Sequence, residues 1–163
     1  MKLNTRKLAF SGMIAALYWA LTVWLSVFSY GPIQFRVSEA LTILPFFSPY
    51  FIPGLFAGCF LSNIFSPVGI VDIIFGSSAT LIAAILTYLI GRTNIKFKKY
   101  LAPMPPVLVN ALIIGWEINK VYGAPFIIAF IEVGFGELVV CYLIGLPLLL
   151  FIEKNKILKK YIC

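Results

Sequence analysis

The hydrophobic residues of this chain fall in long unbroken runs, without the strict alternation of a strand or the half-apolar stripe of a surface helix. Such runs predict helices that are apolar on every side, and therefore membrane spans. Leu8 to Phe28 is the first, after the basic cap MKLNTRK; it has no small-residue cleavage site and reads as a retained span rather than a signal. Ser29 to Ser38 (SYGPIQFRVS) reads as a loop because of Gly31 and Pro32. Glu39 to Phe65 is apolar again but is broken by Pro45, Pro49 and Pro53, and it is too long for one ordinary span. It predicts two short helices, about 38–47 and 51–65, which need not cross the whole hydrocarbon core if protein surrounds them. A re-entrant hairpin over the same residues is an open alternative. Ile70 to Gly91 predicts a full span, and Arg92 to Tyr100 a basic loop. Pro103, Pro105 and Pro106 open a fifth helix over 103–118, since proline is tolerated in a first turn. The most apolar run, Pro125 to Ile152, exceeds the roughly 20 residues a crossing needs and predicts a sixth helix over 125–152. The expected fold class is an all-α membrane protein of six transmembrane helices, one integral membrane domain covering residues 1–163.

Composition and charge sharpen this picture. Sixty-one per cent of the residues are hydrophobic and 12% charged, beyond what an ordinary soluble core requires. The net charge of +7 points to topology rather than to nucleic acid, because the bases cluster at helix ends. With six spans and both termini cytoplasmic, Lys2, Arg6, Lys7, the loop from Arg92 to Lys99 and the tail from Lys154 to Lys160 fall inside. Only Arg36 and Lys120 fall outside, a strong positive-inside bias. Cys59, Cys141 and Cys163 are isolated, so neither a disulfide nor a thiolate metal site is expected. The chain has no histidine and no HExxH, GxSxG or phosphate-loop pattern. No metal, cofactor or catalytic residue is implied, and any pumping must draw on energy supplied by another polypeptide.

The acids carry the chemistry. Glu132 and Glu137 lie inside the last run with no base to pair with, and a carboxylate at such a depth should face protein or a wet cavity. Counted from Pro125, Glu132 is roughly 10 Å deep and Glu137 roughly 18 Å deep. Their spacing turns them about 140° apart, so one pocket is not expected to receive both head-on. Glu132 is the better ligand candidate; Glu137, on a stripe with Gly134, Cys141 and Gly145, divides between ligand and interhelical hydrogen-bond glue. On the same topology Glu39 opens the second helix, Asp72 opens the fourth and Glu117 closes the fifth, all at the outer side. Each has a plainer reading, Glu39 and Asp72 as helix N-terminal acids and Glu117 as a solvated end group. Asn110 shares the face of Glu117, and Asn63 adds an amide. Arg36 stands ready to neutralise an unengaged acid, while Phe35, Trp116 or Tyr122 offers a face for stacking. On the first span Ala9, Gly12, Ala16 and Ala20 form a small-residue stripe, open to a reading as internal packing or as a docking surface.

Three stretches carry a family resemblance: YGPIQFRVSEALTILP from Tyr30 to Pro45, LAPMPPVLVNAL from Leu101 to Leu112, and GELVVCYLIGLP from Gly136 to Pro147. They resemble the QueT family, substrate-binding S components of energy-coupling factor (ECF) transporters, over nearly the whole chain. The resemblance implies a six-helix subunit of the bacterial plasma membrane that captures a queuosine precursor, a 7-deazaguanine base, at the outer side. It also implies a transmembrane scaffold subunit as partner and, through it, two cytoplasmic ATPases. Gly12, Ala16 and Ala20 match the family's small-residue scaffold-docking motif. The competing functions are an S component for another vitamin-like compound and a stand-alone proton or ion pathway through Glu132 and Glu137; a membrane enzyme is more distant.

Overall fold

Apolar runs punctuated by proline fold here into helices of unequal length, because each proline removes a backbone donor and fixes where a helix starts or changes pitch. The computed structural model describes residues 5–31 and 33–162. The start of the basic cap with Lys2, the loop residue Pro32 and Cys163 lie outside the described residues. Every regular element among the described residues is helical: α1 (Thr5–Trp24), α2 (Ser26–Ser29), a 3-10 helix (Val37–Phe46), α3 (Phe51–Asn63), α4 (Ile70–Arg92), α5 (Lys98–Leu101), α6 (Met104–Tyr122), α7 (Phe126–Val140), a π turn (Cys141–Gly145), α8 (Leu146–Lys154) and α9 (Lys156–Ile162).

Among the described residues, four stretches are long and apolar enough to cross a membrane: Lys7–Trp24, Ile70–Arg92, Lys98–Tyr122 and Phe126–Lys154. The segment from 39 to 65 forms two shorter apolar helices, as the prolines predict. The first is a 3-10 helix, and all of Ser38 to Pro45 is buried. At about 2.0 Å per residue its ten residues reach roughly 20 Å, against about 15 Å for an α-helix of the same length. It runs inside an arc in which α1 packs on α3, α3 on α4, α4 on α6 and α6 on α7, and it touches α1, α4 and the π turn.

Several predicted boundaries are corrected. The first span, expected to reach Phe28, breaks at Leu25. The fifth helix runs on past Ile118 to Tyr122, where Gly123 adopts the left-handed conformation (φ 70°) and returns its N–H to Asn119 O at 3.1 Å. Glu117 is therefore an interior residue of that helix and does not close it. The last helix, expected as one uniform α-helix, widens into the π turn just before Pro147. The proline ring would clash with the carbonyl four residues earlier, at Leu143, and the wider turn relieves this.

Close approach of backbones fixes α1 against α3. A Cβ on Gly58 would lie 2.7 Å from Ala15 O and 2.8 Å from Tyr18 Cβ, and one on Gly54 would meet Ser11 O. The internal helix contact thus uses the glycines of α3, so that Gly12, Ala16 and Ala20 of α1 remain exposed. An apolar core of Ile14, Leu41, Ile43, Leu44, Phe51, Leu55 and Leu149 fills one half of the bundle. The other half holds buried polar residues.

Candidate functional site

Where the 3-10 helix begins, α3 ends and α4 begins, the chain turns inward with charged side chains. Arg36, at the N-cap of the 3-10 helix, is 2% exposed, and its Nη2 lies 3.8 Å from Asp72 Oδ2. Its Nη1 reaches Cys59 Sγ at 3.9 Å. Asn63 donates through Nδ2 to Asp72 O (2.9 Å) and to Cys59 Sγ (3.5 Å), which fixes the amide with Oδ1 free to accept. Gly76, one turn past Asp72, gives these two side chains their room: a Cβ there would meet Asp72 Oδ1 and come within 2.6 Å of Asn63 Nδ2. Glu117 is 1% exposed and lies within electrostatic reach of Asp72 and Arg36.

Behind this group lies a second polar layer. Glu39 Oε1 accepts from Tyr18 OH and from Thr80 Oγ1 (2.8 Å), tying α1, the 3-10 helix and α4 together. Thr22 and Ser38 hydroxyls share a 2.6 Å hydrogen bond beside it. Glu137 Oε1 accepts from Asn110 Nδ2 at 3.0 Å, and its Oε2 accepts from Cys141 Sγ at 3.7 Å.

The two layers differ in how far they are satisfied. Among the described residues, the buried side-chain atoms without a hydrogen-bond partner are Ser29 Oγ, Arg36 Nε and Nη2, Glu39 Oε2, Asn63 Oδ1, Asp72 Oδ1, Ser77 Oγ and both oxygens of Glu117. An orphaned buried polar group costs about 1–3 kcal/mol, and more if charged, so this concentration makes the cluster the candidate place for a ligand.

A cavity of about 290 Å³ lies alongside, lined by Tyr30, Gln34, Val68, Ile118, Tyr122 and Glu132 among others. Tyr30 joins the cavity to the cluster: its hydroxyl donates to Ser62 O at 2.7 Å, and its ring centroid is 5.6 Å from Arg36 Cζ. Burial pushes that hydroxyl up to about 12 against the opposing pull of Arg36, so it stays a neutral donor. The loop carrying Tyr30 and Gln34 is seated on α7, where Gly136 leaves space for the backbone of Gln34 and Phe35 packs edge-on against Phe135 (6.4 Å).

Of the residues singled out in the sequence, Arg36, Asn63, Asp72 and Glu117 come together, and Glu39 stands in the layer behind them with one oxygen unengaged. Asn110 and Glu137 pair in the layer behind, and Glu132 stands apart in the cavity wall, in keeping with the angle between the two glutamates. Phe35 is half-buried beside Phe135. Trp116 turns outward, 39% exposed, against Phe75 at 5.0 Å, in an apolar depression with Leu112, Ile113 and Phe126. Sequence reasoning passed over Tyr18, Tyr30, Cys59, Ser77 and Thr80. A faint signal is spacing: Tyr18 and Thr22 stand one turn apart on α1, and Gly76 and Thr80 follow Asp72 at the same spacing, but spacing alone does not say that they face an acid. Gly12, Ala15, Ala16, Trp19, Leu61 and Phe65 line an outward groove of about 560 Å³.

Helices of bilayer-crossing length enclosing a buried cluster of charged and amide side chains define a multi-pass membrane protein with an internal polar site. The chain belongs to the QueT transporter family, whose profile matches residues 8–154. It is 43% identical over 83 residues to the Queuosine precursor transporter QueT of Lactococcus lactis subsp. cremoris (strain MG1363), a stretch covering 50% of this chain. That stretch spans about half of the relative's length (48%). No solved structure matches the chain.

Proposed function

We propose that this protein is the substrate-capture subunit of an ECF-type importer and binds a queuosine precursor among Arg36, Glu39, Asn63, Asp72 and Glu117. The observation that carries this reading is the imbalance of free hydrogen-bonding groups. Glu39 Oε2, Asn63 Oδ1, Asp72 Oδ1 and both Glu117 oxygens are unengaged acceptors, while the unengaged charged donors are on one guanidinium and the Ser29 and Ser77 hydroxyls can donate or accept. A matching ligand is rich in N–H donors, carries one strong acceptor and tolerates or prefers positive charge. A 7-deazaguanine base has that pattern. Its carbonyl suits Arg36, its ring N–H and exocyclic amine suit one carboxylate, and a 7-aminomethyl cation suits a second. Glu117 fits the base edge, Asp72 or Glu39 fits the cation, and Glu132 in the wall of the adjoining cavity fits an entry role.

The same reading places six helices in the bacterial plasma membrane, the two short ones embedded in protein, with both termini cytoplasmic as the positive-inside bias asks. The groove along Gly12 and Ala16, continued by the exposed Ala20, is the proposed docking surface for a scaffold subunit that relays the work of two ATPases. Ala16→Trp is then expected to abolish uptake in cells and leave binding by the isolated protein intact.

Isothermal titration of the purified protein with 7-aminomethyl- and 7-cyano-7-deazaguanine tests the capture reading. One-to-one binding without ATP, tighter for the aminomethyl base, is expected. Proton flux through the isolated protein without such binding would replace it with the ion-pathway reading.

A further inference from the structure

A second cavity, of about 220 Å³, lies at the other end of the bundle from Arg36. It is lined by Arg92, Lys98, Lys159 and Glu153, with Phe46, Phe47 and the backbone of Gly91. Lys98 Nζ donates to Gly91 O and to Thr93 O, both at 2.9 Å, which fixes the ammonium and leaves one of its three donors to spend. The Arg92 guanidinium rests over the Tyr88 ring, 5.1 Å from its centroid. The acid in the lining, Glu153, is already paired at 2.7 Å with Lys99, which is not one of the residues lining the cavity. Three cations therefore face the cavity, and the lone carboxylate among them is neutralised from outside.

Its position decides what could reach it. Three of the membrane-crossing stretches, Ile70–Arg92, Lys98–Tyr122 and Phe126–Lys154, have one end here, which sets the cavity at the boundary between hydrocarbon and headgroups. Ile95, Phe97 and Ile157, in or beside the connections around it, expose their apolar side chains (49, 62 and 68%), as groups seated in that boundary do. A diffuse basic surface would attract any anionic membrane. A concavity with an immobilised ammonium, a guanidinium and two phenylalanines is suited to one headgroup, phosphate on the bases and glycerol carbons on the rings.

We propose that this cavity binds the phosphodiester headgroup of an anionic lipid, with Arg92, Lys98 and Lys159 as the phosphate ligands. The chemistry it recognises, a phosphate oxyanion, could equally arrive as free phosphate, and the experiment separates the two. The delipidated full-length protein in neutral detergent is titrated with phosphatidylglycerol or phosphatidylcholine and read by native mass spectrometry. One retained phosphatidylglycerol, with no matching phosphatidylcholine, is expected. The double variant Arg92→Gln, Lys159→Gln should weaken it about tenfold or more, because it removes two direct charge-assisted hydrogen bonds to the phosphate. Lys96→Gln, Lys156→Gln, which removes the same charge outside the cavity, should change it less than about threefold. Equal loss in the two double variants, or none in either, overturns the site. Displacement of the lipid by millimolar inorganic phosphate would overturn the lipid assignment and leave a soluble-anion site. Unchanged thermal melting of both variants without lipid guards against misfolding.

Discussion

Glu117 and Glu137 are both about 1% exposed, both in long helices, and they sit in opposite circumstances. Glu137 has each oxygen occupied, by Asn110 and Cys141, and so fastens α7 to α6 and to its own next turn. Glu117 has neither oxygen occupied. A carboxylate held as Glu137 is costs little beyond its burial, whereas one held as Glu117 is a standing penalty in the free protein. Burial alone therefore does not separate the two; unspent hydrogen-bonding capacity does.

The sharpest way to break the contrast is to remove the cation both layers feel. Arg36→Ala leaves Asp72 and Glu117 without a compensating charge and should cost about 3–5 kcal/mol of stability, seen as a large fall in melting temperature along with loss of ligand binding. An unchanged melting temperature would mean that the acids are not charged together. Next in size, Glu117→Gln should weaken deazapurine binding by roughly 2 kcal/mol while the free protein melts no lower than the parent. Glu137→Leu should do the reverse: it strands Asn110 Nδ2 and lowers stability by about 1–3 kcal/mol, with a smaller change in affinity per folded molecule. If titration and melting scans gave both variants the same profile, the distinction between the layers would be lost. The smallest effect is expected at Trp116→Ala, whose ring lies on the outward apolar side; affinity by titration should move by less than about 0.5 kcal/mol.

Much of this was legible in the sequence because hydrophobic runs and proline positions are local. α4 begins at Ile70 and ends at Arg92, one residue beyond its apolar run, and the prolines of 39–65 divide that stretch into two short helices. The acids, too, could be named, since a carboxylate in an apolar run needs an explanation. Their division into satisfied and unsatisfied could not. It depends on which hydroxyls and amides arrive from other helices, and Tyr18, Ser77 and Thr80 look like ordinary span residues until α1 and α4 are seen flanking the 3-10 helix. The end of α6 was misjudged because Lys120 resembled a loop base, while the real stop is Gly123. Trp116 was attractive for its flat ring, but its neighbour Glu117 takes the inward direction, and successive residues on a helix point about 100° apart.

The π turn has a consequence for angular bookkeeping along the last helix. At about 100° per residue, Leu149 would stand about 120° around the axis from Glu137 if the helix were uniform. A π turn absorbs about one residue, which brings that angle to roughly 20°. The buried line Val133, Glu137, Cys141, Gly145, Leu149, spaced by four throughout, can then stay on one side instead of spiralling off it. One helix thereby serves the polar half of the bundle with its first turns and the apolar half with its last. Deleting a single residue between Cys141 and Gly145 would remove the residue the π turn absorbs and leave Leu149 and Ile152 facing the same way in a regular α-helix, whereas inserting one would swing both by about 100° while leaving the sequence equally hydrophobic.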